Sequence, residues 1–491
     1  MKRKTIVAYL IGLMMVAVFF RIYLLPTNLF FGPEQGRDLL VVRDLVVGHK
    51  LTLIGAKTDI AGVFHGPLYY YLSSIPFLFS GGNPVIIAVF FALLQVLAIP
   101  VLYLLIIELT GNKRLGLIAS MLFAISFECI VYARWLSNPP MSLFTAILFT
   151  YCVARFIKGK KWYLVGVAIC YGVLGQLEFI NYALFGGIIV ALFFRYWKIV
   201  RKTQIMVLIL SCLLGGLVAF GTYVIFDLRH GFFVTKGILS LLQGGGFRGS
   251  FIDAAVEMSG RYIMEIGRTF GIFNEVFAGI IAALCLYGYI TIRKHHRNLD
   301  IILIWMIVPI LVLFCFRHGV LAQVFVGLLP AWIIGFSFII EYLWKTPWIG
   351  RMIITCVVAY ELIMYFFYIP MNEQVFFQKS QSRITYENEL QVVHKIYTHA
   401  AGKPFYFQSF TIPIFWQDGW TYLFWYIGTT KYGYVPVEED KSTIYVIIPK
   451  IYNDPFLSLF QSNWYKDTVS TWGRLTYSFS LGEFTIEERQ K

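Results

Sequence analysis

Eleven long apolar stretches dominate the sequence and restrict its fold more than any other feature. An apolar helix of roughly 17–25 residues is long enough to cross a lipid bilayer. Only 14% of the residues are charged, against about 25% in soluble domains, and the mean hydropathy is +0.70. We therefore predict an α-helical polytopic membrane protein with about eleven transmembrane helices, within a range of roughly 11–13. The stretches cover residues 5–25, 84–108, 115–135, 140–157, 162–180, 183–199, 204–227, 275–292, 300–316, 321–343 and 351–369.

The lysines and arginines between these stretches predict the orientation of the chain. Cytoplasmic loops are enriched in these residues, and the clusters lie at 113–114, 158–161, 195–202, 293–297 and 345–351. All of them face the cytoplasm if the N-terminus is inside and if the short apolar run 68–80, which contains Pro76, does not cross. The run 5–25 is long and has no small-residue cleavage site, which indicates an uncleaved anchor. We expect a plasma-membrane protein with a cytoplasmic N-terminus and an extracytoplasmic C-terminus.

Charge and cysteine content exclude two other classes of protein. The net charge is +14, but the basic residues form short clusters between apolar spans and not the basic stripe that is typical of nucleic-acid binding. The seven cysteines lie singly within apolar spans. A disulfide framework or a zinc site is therefore not indicated.

The composition divides the chain into two domains. Residues 1–369 form the membrane module, with two sizeable outward loops at 26–83 and 228–274. Residues 370–491 are more polar and lack cysteine, and we interpret them as a small extracytoplasmic α/β domain. Within it, a helix is predicted at 386–399 and strands at 404–410 and 443–448.

The stretch 31–38, Phe-Gly-Pro-Glu-Gln-Gly-Arg-Asp, opens the first outward loop. Pro33 suits the first position of a helix, because its missing N–H would be unpaired there in any case. Glu34 then lies in the first turn, where the helix dipole favours a carboxylate, and Asp38 follows one turn later on the same face. No basic residue precedes Glu34 locally, so a simple ion pair does not explain it.

Most of the other unusual polar residues map to the outward ends of the spans and form a predicted polar collar. A pump or channel is expected to carry ionisable groups to mid-depth, whereas here only Glu361 lies deeper. Each collar residue also has a structural interpretation: arginines can reach to the interface, Glu128 and Glu178 can pair with arginines, and Arg37 with Asp38, or Arg43 with Asp44, can form ion pairs. The candidate substrate-binding residues in the collar are Arg37, Asp38, His65, Asn138, Glu178, Asp227, Arg229, His230, Arg317 and His318.

Several of these segments resemble elements of the GT-C superfamily of lipid-phosphate-dependent glycosyltransferases. The similarity is to the branch that includes family 39, the protein mannosyltransferases and the aminoarabinose transferases. Residues 33–38 resemble its acidic Asp-Gln-Gly-Arg-Asp motif, residues 64–71 resemble its Pro-Leu-x-Tyr-Tyr segment, residues 137–139 resemble its Asn-Pro or Asp-Pro element, and residues 226–230 are also similar. The resemblance covers roughly residues 1–370, and its support is the order of the motifs together with the topology.

The resemblance implies transfer of a sugar from a polyprenyl-phosphate donor to an acceptor at the outer membrane face, with inversion. Glu34 would be the general base, and Arg37, Arg229, Arg317 and His318 would stabilise the leaving phosphate. His65 and Asn138 would hold the acceptor or sugar hydroxyls, and Asp38 would orient Arg37 or contact the sugar. The implied partners are the lipid donor, membrane lipids and a glycan, lipid or protein acceptor, without nucleic acid.

Two departures from the family pattern affect the expected chemistry. Glu34 stands where the family usually has aspartate, and Asn138 stands where some relatives have an acid. Asparagine is a weaker ligand for a hard cation, so no cofactor is assigned and a divalent metal is only weakly supported. Two alternatives stay open: a transporter or flippase of lipid-linked sugars, and a non-catalytic membrane protein whose aromatic-rich tail binds glycans.

Overall fold

The computed structural model describes residues 2–241, 243, 250–294, 296–315, 321–344, 346–369, 384–411, 416–437 and 442–490. Each of the eleven predicted spans coincides with a helical segment of this structure. Seven segments are long and apolar enough to cross a membrane, an eighth is a bent pair, and three are shorter apolar helices. The predicted polytopic helical fold is therefore confirmed.

Ten of the eleven segments contribute to one apolar core, and the remaining one, which covers Ile205–Arg229, packs against the segment Tyr163–Leu177. Several contain a short break, because proline or a polar residue interrupts the apolar run. They are α1 (Arg3–Ile22) with α2 (Leu25–Asn28), α5 (Pro84–Val96) with α6 (Ala98–Thr110), α7 (Lys113–Ile125) with α8 (Phe127–Arg134), α9 (Ser142–Ile157), α10 (Tyr163–Leu177), α11 (Asn181–Arg195), α13 (Ile205–Arg229), α16 (Glu275–Arg293), α17 (Asp300–Phe314), α18 (Leu329–Leu343) and α19 (Pro347–Tyr368).

Five further helices in this part of the chain connect the spans. They are α3 (Pro33–Val46), α4 (Leu68–Ser80), α12 (Trp197–Val200), α14 (Phe233–Ser240) and α15 (Phe251–Arg268). The helix α4 has 13 residues with Pro76 inside it, which is short for a full crossing. This agrees with the prediction that residues 68–80 do not span the membrane.

Polar groups buried at the break between α7 and α8 compensate the interrupted backbone. The two helices meet at an angle of 53°. Arg21 donates to the carbonyl of Ala124 at 3.0 Å, at the negative end of α7, and Glu361 accepts from the N–H of Phe127 at 2.9 Å, at the positive end of α8. A positive charge is favourable at the C-terminal end of a helix, and a negative charge is favourable at the N-terminal end. The deep position predicted for Glu361 thus has a structural role.

Carboxylates of neighbouring helices hold the basic clusters that were predicted to be cytoplasmic. A fixed ion pair of this kind orders loops between spans, although its net contribution to stability is small when it is exposed. The pairs are Arg114 with Glu341 at 2.5 Å, Lys158 with Glu108 at 3.5 Å, and Arg195 and Arg293 with Asp300 at 2.6 and 2.8 Å.

The C-terminal part is a small α/β unit, as predicted. The predicted helix is α20 (Tyr386–Ala400), and the two predicted strands are β1 (Tyr406–Ser409) and β2 (Thr443–Pro449). The sheet has the order β1-β2-β4-β3, in which β1 and β2 are parallel and the other pairs antiparallel. The sequence did not predict α21 (Asp418–Ile427), α22 (Pro455–Asp467), β3 (Arg474–Leu481) and β4 (Phe484–Gln490).

The C-terminal unit packs directly on α3 and the loops beside it. The backbone N–H of Tyr386 donates to the carbonyl of Leu29 at 3.1 Å, and the hydroxyl of Tyr422 donates to the carbonyl of Gly82 at 2.5 Å. A side chain at Gly36 would overlap the backbone of Asp418 and Gly419. The stretch 31–38 is therefore clamped between the helical bundle and the C-terminal unit.

Candidate active site

The helix α3 begins as the sequence predicts, with Pro33 at its first position. The side chain of Gln35 accepts from the N–H of Gly32 at 3.1 Å and donates to the carbonyl of Leu136 at 3.2 Å. The first bond caps the helix, and the second ties it to the segment that follows α8. The first turn of α3, which carries Glu34, is thus fixed from two sides.

Glu34 projects from this first turn into a cavity of about 310 Å³. Its side chain is exposed. Within the described part of the chain, the carboxylate forms no hydrogen bond or ion pair. A carboxylate without a protein partner at a cavity wall is available to accept a proton from a bound molecule.

Arg37 also lines the cavity and is held by a buried carboxylate. Its Nε donates to Oδ1 of Asp38 at 2.9 Å, and the hydroxyl of Tyr70 donates to the same oxygen at 3.1 Å. The guanidinium lies over the ring of Trp416, 5.7 Å from its centre. Burial raises the pKa of Asp38 to about 6 in spite of these partners. The predicted Arg37–Asp38 ion pair is present, and it orients Arg37 towards the cavity.

A short hairpin between residues 55 and 65 forms another wall. Lys57 and Phe64 form an isolated β-bridge, and Gly55 and His65 are joined by a backbone hydrogen bond of 2.8 Å. This hairpin places Lys57, Asp59 and His65 on the cavity. The site therefore contains charged groups of both signs.

His65 is neutral in this setting. Its Nδ1 accepts from the N–H of Phe179 at 3.2 Å, so the ring proton is assigned to Nε2. Burial and the positive charge of Arg37 lower the pKa of His65 to about 4. The imidazole is therefore a hydrogen-bond donor, and not a cation, at neutral pH.

Glu178 lies in the turn after α10, 3.7 Å from Nδ1 of His65. Burial, with smaller effects of the charges on Asp59 and Glu34, raises the pKa of Glu178 to about 8. At neutral pH the contact thus joins a protonated carboxyl and a neutral imidazole, although the distance alone would suggest an ion pair. The expected pairing of Glu178 with an arginine is not what the structure shows.

Asn138 lines the cavity between α8 and α9 and is partly occupied by the protein. Its amide nitrogen donates to the carbonyl of Leu177, and its Oδ1 accepts from Ser137 at 3.4 Å. The side chain therefore links the two turns that follow α8 and α10. Much of the remaining lining is apolar, and we call the following residues the apolar wall: Ile180, Tyr182, Ala183, Ile238, Leu241, Leu321 and Val324.

The donor groups here do not fit a divalent metal. Among the described residues, no group of three or more His, Cys, Asp or Glu side chains is placed to hold an ion. The amide nitrogen of Asn138 is directed at the carbonyl of Leu177, and its neutral oxygen is a weak ligand for a hard cation. We derive no step that requires a metal.

Comparisons with known proteins identify the fold. Residues 64–225, or 162 of 491, match the family model described as dolichyl-phosphate-mannose-protein mannosyltransferase. The chain is also similar to the crystal structure of ArnT from Cupriavidus metallidurans bound to undecaprenyl phosphate, with a TM-score of 0.66, 12% identity, and 99% of this chain and 98% of that chain covered. The chain therefore has the fold of ArnT over nearly its whole length. The resemblance predicted from the sequence is confirmed.

Two further structures are similar to this chain, and no curated sequence matches it. The apo state of the same ArnT gives a TM-score of 0.64 at 12% identity, over 98% of this chain and 97% of that one. AglB from Archaeoglobus fulgidus, solved with an inhibitory peptide and a dolichol-phosphate, gives 0.44 at 14% identity, over 89% of this chain and 56% of that one.

Five of the eleven predicted site residues meet at the cavity: Glu34, Arg37, His65, Asn138 and Glu178. Asp38 lies behind Arg37. Of the other five, three do not join them. Asp227 accepts from the backbone N–H groups of Val234 and Thr235 at 2.8 and 2.9 Å and so caps α14. Arg229, the last residue of α13, and His230, which follows it, are exposed. Arg317 and His318 lie outside the described residues.

The cavity also contains residues that the sequence did not single out as site residues. They include Lys57, Gln323 and the apolar wall on α11, α14 and the segment before α18. Lys57 belongs to the outward loop 26–83, which was predicted to contain Glu34. Its position in this loop could therefore have identified it as a candidate site residue. The contributions of α14 and residues 321–324 depend on packing between distant segments, which no local motif reveals.

Glu178 gives the enzyme a defined pH dependence of stability. Because its pKa in the folded state is raised to about 8, its contribution is complete below its unfolded pKa of about 4.5 and is lost as the pH rises through about 8. The free energy of unfolding should fall by up to about 1.4 kcal/mol per pH unit within this window. We expect the Tm of the wild type to fall between pH 6 and 9, and that of Glu178→Gln to fall less. Equal slopes in thermal scans of the two proteins would contradict the assignment of a protonated Glu178.

Proposed function

We propose that this enzyme transfers a sugar from a polyprenyl-phosphate donor to an acceptor at the outer face of the plasma membrane, with inversion at the anomeric carbon. The observation that supports this most is the position of Glu34, a carboxylate without a protein partner in the described structure, on a cavity that is lined by both charged and apolar side chains. Such a cavity suits a substrate that has a polar head and a hydrocarbon tail.

Glu34 acts as the general base of the reaction. The acceptor hydroxyl or amine gives its proton to the carboxylate while its heteroatom forms a bond to the anomeric carbon. The bond between that carbon and the phosphate oxygen breaks, and the polyprenyl phosphate leaves with the electron pair. Attack opposite to the leaving group inverts the configuration. Glu34 has one methylene more than the usual aspartate, and the open cavity accommodates it.

Arg37 and Lys57 offset the charge that develops on the leaving phosphate. Both line the cavity, and Arg37 is preoriented by Asp38 and by the ring of Trp416. Fixed cations near a developing charge stabilise the transition state without reorganisation. Lys57 takes a role that the sequence assigned to Arg229, Arg317 and His318, whose participation remains a proposal.

The neutral polar groups hold the sugar or acceptor hydroxyls. Nε2–H of His65 is a donor, the protonated Glu178 is a second donor, and Asn138 is already engaged with Leu177. The apolar wall formed by Ile238, Leu241 and Leu321 would pack against the first isoprene units. That ArnT was solved with undecaprenyl phosphate supports a donor of this class.

The distribution of basic residues supports catalysis at the outer face. With the clusters at 113–114, 158–161 and 195–202 in the cytoplasm, the α3 end of the bundle and the C-terminal unit are extracytoplasmic. The unit that follows residue 369 would then contact acceptors outside the cell. Labelling of single cysteines introduced on α20 and in the 158–161 loop of sealed cells tests this orientation: only the α20 site should react with an impermeant reagent.

A panel assay tests the proposed activity. Purified enzyme in nanodiscs is incubated with polyprenyl-phosphate sugars and cell-envelope acceptors, and free polyprenyl phosphate is measured. We expect at least one donor to release the lipid phosphate together with a glycosylated product of inverted configuration. Absence of release from every donor, or a product of retained configuration, would overturn the proposal.

Replacing Arg37 by glutamine should weaken use of the donor. The substitution removes the cation but keeps a polar side chain, so we expect kcat/KM for the lipid donor to fall about 10–100-fold, as one lost charge-assisted contact implies. Arg43→Gln is the matched control, because Arg43 lies on the same helix, pairs with Asp44 at 2.6 Å and does not line the cavity. Equal effects of the two substitutions would contradict a phosphate-directed role for Arg37.

A further inference from the structure

A second and smaller cavity lies between the start of α3 and the C-terminal unit. It measures about 40 Å³ and is bounded on one side by Gly32 and Pro33. Its wall is unusually aromatic, with six rings: Phe30, Phe31, Phe410, Trp416, Trp420 and Phe484. The guanidinium group of Arg37, which lines the larger cavity, lies over the ring of Trp416. Trp416 is therefore shared between the surroundings of the two cavities.

A single carboxyl group, that of Glu389 in the first turn of α20, is enclosed by these rings. Glu389 is 8% exposed. Its Oε2 is fully buried and has no hydrogen-bond partner within the described structure. Burial raises the pKa of Glu389 well above its usual range. Leaving a buried carboxyl oxygen unpaired is unfavourable, which indicates that another group satisfies it.

The lining determines which kind of group fits. Aromatic faces attract cations, and a desolvated carboxylate adds a charge-assisted hydrogen bond. Among the described lining residues there is no lysine, arginine or histidine, so none of these residues supplies a cation to the carboxyl group. One water needs about 10–15 Å³, so the cavity accepts an ammonium group with one or two carbons and is too small for a sugar ring.

We propose that this cavity binds the primary ammonium group of a ligand, with Glu389 as the counter-ion and the surrounding rings as a cation–π cage. An amino sugar and an ethanolamine headgroup both carry such a group. The remainder of the ligand would extend out of the cavity along the seam between α3 and the C-terminal unit. This is a statement about binding and does not depend on the proposed transfer reaction.

Binding of an ammonium group is linked to ionisation of Glu389. The free carboxyl is protonated to higher pH than an exposed glutamate, and an ammonium ligand binds its ionised form, so a proton is released on binding. Few titratable groups affect the ionisation of Glu389. The described lining holds no other ionisable side chain, and Tyr386, on the same helix, interacts electrostatically with Glu389. The affinity for ethanolamine, whose amine stays protonated to well above neutral pH, should therefore rise as the pH is raised.

Calorimetry on the full-length protein in phosphatidylglycerol nanodiscs tests this site. The probes are ethanolamine and glucosamine, with ethylene glycol and glucose as uncharged counterparts. We expect at least one amine to bind the wild type and neither uncharged probe to bind. Tighter binding of glucosamine would indicate an amino-sugar ligand, and tighter binding of ethanolamine would indicate a lipid headgroup.

Two variants in one helical turn provide the control. Glu389→Gln keeps the shape but not the charge, and we expect it to weaken amine binding at least tenfold while its Tm does not fall. Glu387→Gln changes an exposed neighbour in the same turn and should bind as the wild type does. Failure of both amines to bind the wild type, or equal binding by Glu389→Gln, would overturn the proposal.

Discussion

Glu34→Gln should abolish glycosyl transfer while leaving the protein folded. The substitution keeps the size of the side chain and removes its ability to accept a proton, so we expect kcat to fall about 10²–10⁴-fold, the usual contribution of a general base. Because Glu34 is exposed and has no partner in the described structure, its loss should not change the Tm measurably. The measurement is polyprenyl-phosphate release under saturating donor, together with a thermal unfolding curve.

The control for this substitution lies on the same helix. Asp44→Asn removes a carboxylate that pairs with Arg43 and lies away from the cavity lining, so transfer should stay within about twofold of the wild type, since exposed pairs contribute little. Glu34→Asp restores the residue that is usual in the family and should retain a measurable part of the rate. A Glu34→Gln enzyme with wild-type kcat would exclude Glu34 as the base.

Gly36→Ala should separate the C-terminal unit from α3 and disable the active site. A Cβ atom at this position would overlap the backbone of Asp418 and Gly419, and backbone atoms cannot rotate away as a side chain can. Overpacking of this kind typically costs about 1–3 kcal/mol. Since Glu34 is one half-turn away, we also expect at least a tenfold loss of kcat/KM. Limited proteolysis after residue 369 and transfer kinetics would report the two effects.

Gly260→Ala is the matched substitution for Gly36→Ala. Gly260 also lies within a helix, α15, and a Cβ there would meet no atom within 4 Å. Alanine is favoured over glycine in a helix by roughly 0.5–1 kcal/mol, so this variant should be as stable as the wild type or more so. If both variants behaved alike, the close contact at Gly36 would not matter for the assembly.

The membrane fold was largely predictable because its signal is local. Each span is a run of apolar residues that a bilayer requires, and all eleven runs became helical segments. The length of the run 68–80 and the positive-inside pattern together separated α4 from the spans. The C-terminal unit was harder, since β3 is mostly exposed and β4 mostly buried, and short strands of this kind depend on their neighbours.

The candidate site was predicted in part, because some of its residues lie in recognisable motifs. Glu34, Arg37, His65 and Asn138 are in the segments that carry the family resemblance, and they meet at one cavity. Asp227 lies in a similar segment, yet it is used to cap α14. The sequence shows that a carboxylate near the membrane interface is unusual. Only the packing of the folded chain shows whether that carboxylate is available to a ligand or caps a helix.

The two acidic residues that change most between sequence and structure are Glu178 and Glu389. Glu178 lies in the apolar stretch 162–180 and Glu389 in the predicted helix 386–399, and the chemistry of both carboxyl groups follows from burial. Glu178 becomes a neutral donor beside His65, and Glu389 becomes a carboxyl with an unpaired oxygen in an aromatic cavity of the described structure. Desolvation is a property of the assembled fold, so neither role can be derived from the linear sequence.

A structure of Glu34→Gln with an intact polyprenyl-phosphate sugar bound tests the central claim most directly. We expect the phosphate within hydrogen-bonding distance of Arg37 or Lys57 and the isoprene chain against the apolar wall of Ile238, Leu241 and Leu321. Between the substituted side chain at position 34 and the anomeric carbon, we expect space for an acceptor atom at about 3–3.5 Å from that carbon. A donor bound elsewhere, or one whose anomeric carbon faces away from position 34, would contradict glycosyl transfer with Glu34 as the base.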